Sequence, residues 1–270
     1  MINAVIITVV LMPLLYLFLI APRMINKPDM ERFYEYYYAH RGLHDNATEA
    51  PENSMAAFKK AVEAGYGMEL DVQLTKDRVP VVFHDDTLER MCGKAGKVSD
   101  YTYEELQAFY LGKSREQIPK LEDVLQLVDG RTPLIVELKI KTADLSLCPV
   151  VDKLLSDYKG LYCIETFHPF GLWWYRIHRR EVIRGQLSNA FMRENEYDGA
   201  FYYILQSLLL NFIGRPDFIA YNHLYSDVLS RRICCKWLGA VSVGWTIKSK
   251  EELERARKDF DLYIFEGFLI

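Results

Sequence analysis

From residue 36 onward, short apolar and β-branched runs at 36–40, 68–74, 134–139, 161–166, 182–186, 218–221, 241–246 and 262–265 alternate with stretches of helical periodicity. Few folds accept that rhythm. Parallel strands cannot be joined by tight hairpins and need a crossover, usually a helix, so eight such runs point to a (β/α)₈ TIM barrel of parallel strands. An open doubly wound sheet is the alternative, and eight runs favour closure. Helical stretches fall at 54–64, 120–128, 149–158, 227–238 and 249–258. Their ends carry local signals: Asn53 or Ser54 can cap the first, Gly65 follows it, and Ser249 with Glu252 forms a capping box. The runs at 81–84 and 93–117, the latter holding Gly93-Lys94-Ala95-Gly96-Lys97, break the alternation and read as a small insertion after the second strand. No helical stretch follows the last run, and the segment before Tyr36 is expected to cover the gap this leaves. The thirteen residues 201–213 lack charge, which suits either a buried barrel helix or an apolar face resting on a bilayer.

The N-terminus is of another kind. Residues 1–22 carry no charged side chain and 4–21 are almost wholly apolar. About 20 residues at ~1.5 Å each span the ~30 Å hydrocarbon core of a bilayer. A cleaved signal peptide would have a basic n-region, and a helix buried at an exposed terminus would not be apolar on every face. The expectation is therefore one N-terminal transmembrane helix, with 1–28 as anchor and flank and 29–270 as the barrel domain. Arg23 and Lys27 follow the apolar run, which places the domain on the cytoplasmic side of the cell membrane by the positive-inside tendency. Five cysteines without metal-type spacing, two of them adjacent (Cys234, Cys235), read as free buried thiols in a reducing compartment. A net charge of -4 leaves no basic field for a phosphate backbone, so nucleic acid is not an expected partner.

In a barrel of this type the chemistry sits at the C-terminal ends of the strands. The first run ends in His40-Arg41-Gly42, the second carries Glu69 and Asp71, the next extended run ends in His84-Asp85, and 134–139 carries Glu137 and Lys139. Residues two apart on a strand share a face, so Glu69 and Asp71 point together, flanked by the apolar Met68, Leu70 and Val72. With Glu137 they offer three hard oxygen ligands, suited to Mg²⁺ or Ca²⁺ rather than zinc. A structural ion-pair cluster with Lys139 and Arg41 is the other reading of the same carboxylates. His40 and His84 have the side chain best placed to move protons near neutrality, and Arg41 and Lys139 suit an anionic phosphodiester.

These residues carry a resemblance. His40-Arg41-Gly42, Pro51-Glu52-Asn53-Ser54, Ala57-Phe58, Glu69-Leu70-Asp71-Val72, Thr75-Lys76-Asp77 and Val81-Val82-Phe83-His84-Asp85 with Leu88 and Arg90 come in one order. Ile118-Pro119-Lys120-Leu121-Glu122, Val136-Glu137-Leu138-Lys139 and Gly244-Trp245-Thr246 continue it. In that order and spacing the chain resembles the glycerophosphodiester phosphodiesterase family from about Tyr38 to its end. The resemblance implies a (β/α)₈ barrel in which Glu69, Asp71 and Glu137 bind a divalent cation. It gives His40 and His84 the roles of general acid and base, and has Arg41 and Lys139 contact phosphate. It puts Glu52 in a metal- or substrate-binding loop and His168 and Trp245 at pocket-lining positions, where ordinary packing also accounts for the last two. Phe265-Glu266-Gly267 departs from the family's usual Thr-Asp ending.

The expected activity is metal-dependent hydrolysis of a small glycerophosphodiester to sn-glycerol 3-phosphate and an alcohol. A lysophospholipase D acting on membrane lysophospholipids is the second reading, and a membrane-bound scaffold that binds lipid without cutting it is the third.

Overall fold

The computed structural model describes residues 11–194 and 199–270. Eight parallel strands close into a barrel: β1 (Tyr38–Ala39), β2 (Gly67–Leu74), β4 (Leu134–Leu138), β5 (Tyr162–Thr166), β6 (Arg184–Ser188), β7 (Phe218–Asn222), β8 (Val241–Ile247) and β9 (Leu262–Phe265). β1 closes the ring by pairing with both β2 and β9. A ninth strand, β3 (Pro80–Val82), runs antiparallel along β2. It opens the insertion, which has its own small core of Val81, Phe83, Leu88, Met91, Val98, Leu106, Leu111 and Ile118.

Helices α2 (Met55–Glu63), α3 (Leu121–Val128), α4 (Leu147–Asp157), α5 (Pro169–His178) and α9 (Lys250–Ala256) face the outer surface of the strands. Ser54 caps α2 by accepting a hydrogen bond from the Ala57 N–H, and Ser249 caps α9 through the Glu252 N–H. The helix expected at 227–238 is two pieces, α8 (Leu229–Arg232) and a π-helical turn Ile233–Trp237. The stretch 201–213 is likewise divided, into α6 (Ala200–Gln206) and α7 (Asn211–Gly214). It is not one buried barrel helix. α6 buries no residue and exposes Phe201 and Tyr203, whereas Leu208 and Asn211 are buried.

The segment before β1 does not replace the missing outer helix. Met30 and Phe33 instead pack with Tyr38, Phe218, Leu262 and Ile264 inside the barrel, closing its floor. Outside, Phe265 meets Tyr66 and Phe268 edge-to-face, and the Tyr66 hydroxyl donates to the Ile270 carbonyl oxygen.

Residues 1–10 of the expected anchor lie outside the described residues. Among the described residues no helix is long and apolar enough to cross a membrane. α1 (Met12–Ile20) has nine residues and is docked along the barrel. Ile20 is fully buried, and its carbonyl accepts from Asn211 Nδ2 and Cys234 Sγ. Its outward side chains Leu14, Leu15 and Phe18 stay exposed.

Candidate active site

The first strand ends in a tight turn that aims two side chains at one place. Arg41 adopts a left-handed backbone (φ 54°), held because its N–H donates to Glu69 Oε2 at 3.2 Å and its carbonyl accepts from the Asn53 N–H. Gly42 follows at φ 81°, and a Cβ there would lie 2.9 Å from the Ala57 backbone, so the turn needs glycine. The result puts His40 and Arg41 beside the carboxylates of β2.

Glu69 and Asp71 share the inward face of β2, as their spacing requires, and the register of β2 with β4 sets Asp71 beside Glu137. One oxygen from each of Glu69, Asp71 and Glu137 lies within 4.8 Å of the others. The next register step sets Glu165 of β5 beside Glu137. Glu165 is buried, and its Oε2 has no hydrogen-bond partner among the described residues. Sequence reasoning missed this residue.

Two cations face these four carboxylates. Lys139 Nζ lies 3.0 Å from Glu137 Oε1 and 3.3 Å from Asp71 Oδ1, and Arg41 Nε lies 3.5 Å from Asp71 Oδ2. The balance is left negative, and burial makes that expensive. Burial, then the charges of Asp71, Glu137 and Glu165, pushes the Glu69 carboxyl well up, and burial with Glu137 and Asp71 does the same to Glu165. Burial also raises Glu137, with Asp71 adding to it and Lys139 opposing. Asp71 goes the other way: burial disfavours its charge, but Lys139, His84, Arg41 and the Asn53 amide hold it below the usual carboxylate range. A buried, oxygen-only set with excess negative charge and an orphaned Glu165 oxygen fits a divalent cation.

The two histidines flank this set, each tethered by a carboxylate at Nδ1. His40 Nδ1 is 2.6 Å from Glu266 Oε2, leaving Nε2 toward Glu69 at 3.9 Å. An ionised carboxylate can only accept, so the proton belongs on Nδ1 and the lone pair on Nε2. Burial lowers His40 to about 4 despite its bond to Glu266, which keeps the ring neutral near pH 7. His84 Nδ1 is 2.8 Å from Asp85 Oδ1, and Arg90 fixes Asp85 in turn. Glu266, the departure at the end of the last strand, thus faces His40, and Lys248 Nζ sits 3.1 Å from its other oxygen.

Glu52 holds the arginines rather than joining the carboxylate set. It accepts from Arg41 Nη1, from Arg90 Nη1 and Nη2, and from Asn46 Nδ2. Burial opposes its ionisation, but those bonds and charges bring it down to about 2. Trp245 lines the pocket edge-on to Phe167, with its indole N–H lacking a partner among the described residues. His168 stands apart: it caps α5 by accepting from the Phe170 N–H, and Phe167 takes the place in the pocket wall. A cavity of about 430 Å³ joins the histidines, Arg41, Glu69, Glu137 and Glu165. Beside it, sharing His84, Phe167 and Trp245, lies one of about 770 Å³ whose walls include Phe191, Tyr202, Leu205 and Leu224.

Residues 40–258 match the model of the glycerophosphoryl diester phosphodiesterase family. A glycerophosphodiester phosphodiesterase from Caldanaerobacter subterraneus subsp. tengcongensis is 30% identical over 82% of this chain and 88% of its own length. One from Bacillus altitudinis is 43% identical over 39% of this chain, and the match spans 45% of that relative's length. A human lysophospholipase D is 35% identical over 46% of this chain and 43% of its own. The fold matches that of an Oleispira antarctica phosphodiesterase, solved in complex with the product sn-glycerol-3-phosphate, with a TM-score of 0.70 at 23% identity, covering 87% of this chain and 94% of that one.

Proposed function

Since the chain belongs to the glycerophosphoryl diester phosphodiesterase family, we propose that it hydrolyses glycerophosphodiesters to sn-glycerol 3-phosphate and an alcohol. The observation that carries this reading is the buried trio Glu69, Asp71 and Glu137 between two carboxylate-tethered histidines. Mg²⁺ or Ca²⁺, held by that trio with Glu165 alongside, would offset charge on the transferring phosphoryl group. Arg41 and Lys139 orient the diester, the first as a planar fork and the second as a point charge. His40, neutral and with Nε2 free, is suited to take a proton from the attacking oxygen. His84, steered by Asp85, is suited to return one to the leaving alkoxide. Glu52 keeps Arg41 in place.

Glu266 is a positioning residue in this scheme. Glu266→Gln is expected to lower kcat by ~10–100-fold with little change in KM, since it frees the His40 tautomer without touching the diester, and Glu266→Asp restores part of the loss. A KM effect alone, with kcat intact, would remove Glu266 from the acid-base chain.

A second reading, lysophospholipase D, is favoured by the cavity of about 770 Å³ with Phe191, Tyr202, Leu205 and Leu224 in its walls, which opens off the site and could take an acyl chain. Choline release from glycerophosphocholine and from lysophosphatidylcholine, each with cation and with chelator, separates the two. Cation-dependent release from the first substrate supports the primary reading. Consumption of the lysolipid alone would transfer the assignment to the second, and consumption of neither would leave only a binding scaffold.

Membrane attachment through 1–28 with a cytoplasmic catalytic domain is part of the proposal. The charge-free run 1–22, the basic Arg23 and Lys27 after it, and five free thiols support it.

A further inference from the structure

A second charged cavity lies at the opposite end of the barrel from the site just described. Arg184 opens β6 and Asp217 precedes β7, so this is the face formed by the N-terminal ends of the strands. Its volume is about 670 Å³, and Arg23, Arg176, Arg180, Arg184 and Arg215 all line it, with no carboxylate among the described residues of its walls.

Like charges do not gather without a reason, and the neighbourhood does little to offset these. Among the described residues Asp217 is the acid that pairs with them, 3.6 Å from Arg23 Nη1 and 4.0 Å from Arg184 Nη1. Arg184 is only 2% exposed, and its Nη1 has no hydrogen-bond partner among the described residues. Burial, partly offset by Asp217, and then the guanidinium groups of Arg23, Arg176 and Arg180 push it down to about 10. The others are oriented by backbone oxygens: Arg176 donates to the Phe212 and Ile213 carbonyls, Arg215 to those of Phe18 and Ala21, and Arg23 to that of Arg180. Each fork keeps further N–H donors for a ligand. The mouth is amphipathic, since Leu17 and Phe18 of α1 form one wall and the exposed Met24 and Ile25 lie at its edge.

We propose that this cavity binds a phosphate-bearing anion, with Arg184 at its base and Arg23, Arg176, Arg180 and Arg215 around it. Guanidinium groups match phosphate oxygens in pairs, and a cluster of them around the buried Arg184, with one weak counter-charge, gains most from an anion. The phosphate can come from an acidic lipid headgroup beside α1 or from solution, and the chemistry is the same.

Titration calorimetry on the full chain in nonionic detergent, with chelator present so that the acidic trio recruits no phosphate, tests this. The probes are short-chain phosphatidic acid, short-chain phosphatidylcholine and inorganic phosphate. Phosphatidic acid is expected to bind, phosphatidylcholine is not, and Arg180→Glu is expected to weaken binding by roughly tenfold or more. Arg180 is exposed and its side chain makes no hydrogen bond or ion pair among the described residues, so the variant should keep wild-type turnover of glycerophosphocholine, which certifies its fold. Saturation by inorganic phosphate that is lost in Arg180→Glu supports the site with a soluble ligand; binding of phosphatidic acid alone supports a lipid one. Binding unaffected by both Arg180→Glu and Arg176→Gln, or no binding of any anionic probe, overturns the proposal.

Discussion

Replacing His40 with alanine is expected to lower kcat/KM for glycerophosphocholine by ~10²–10⁴-fold, the usual worth of a positioned acid or base. The imidazole is half-buried, neutral and fixed at Nδ1 by Glu266, so Nε2 is the group the variant removes. The barrel should survive, because Glu266 keeps Lys248 as a partner and the Arg41 turn is held by Glu69 and Asn53 rather than by His40. His84→Ala should fall in the same range. Groups that act as a unit are not additive, so the double variant is expected to lose little more than the worse single one. A double variant with wild-type turnover and an unchanged melting curve would remove both histidines from the chemistry.

The second large effect concerns the carboxylates. Glu69→Gln keeps the shape of the side chain and removes one negative charge from a buried set of four with two cations. Cation affinity is expected to fall by ~100-fold or more, at or beyond the upper end of what outer partners of metal ligands typically contribute. Stability without cation is expected to rise. The folded carboxyls of Glu69, Glu137 and Glu165 sit above the usual range because of burial and mutual repulsion. Raised carboxyls bind protons more readily folded than unfolded, so the cation-free chain loses stability as pH climbs from the ordinary carboxylate value of about 4.5 through the raised folded ones. Asp71, held low by Lys139, His84 and Arg41, contributes the opposite way, and its share is lost on strong acidification. Thermal melts across pH with chelator should therefore fall toward alkaline pH, and cation should flatten that fall. Glu69→Gln melting below wild type in chelator would count against the crowded-carboxylate account.

The barrel was readable because each strand is a short apolar run with a crossover behind it, and the carboxylates of β2 and β4 were readable because two-residue spacing fixes a face. Three features needed the third dimension. Glu165 sits alone in its run, and only the β4–β5 register puts it beside Glu137. Glu266 follows the last strand and looked like a departure, but closure pairs Ala39 with Phe265 and so brings the following residues, His40 and Glu266, together. The floor plug at Met30 and Phe33 depends on where the chain enters the ring, which local pattern does not encode. His168 shows the converse: a histidine in a suggestive position whose ring nitrogen is occupied as a helix cap. The arginine cavity draws on Arg23, Arg176, Arg180, Arg184 and Arg215, spread over five elements and connections, and no spacing rule joins them.

Phosphorus NMR of glycerophosphocholine incubated with the full chain, with Mg²⁺ or Ca²⁺ and then with excess chelator, tests the central claim most directly. The account expects the diester resonance to give way to that of sn-glycerol 3-phosphate only when cation is present. A diester resonance that persists with cation, or one that disappears equally fast in chelator, would contradict it.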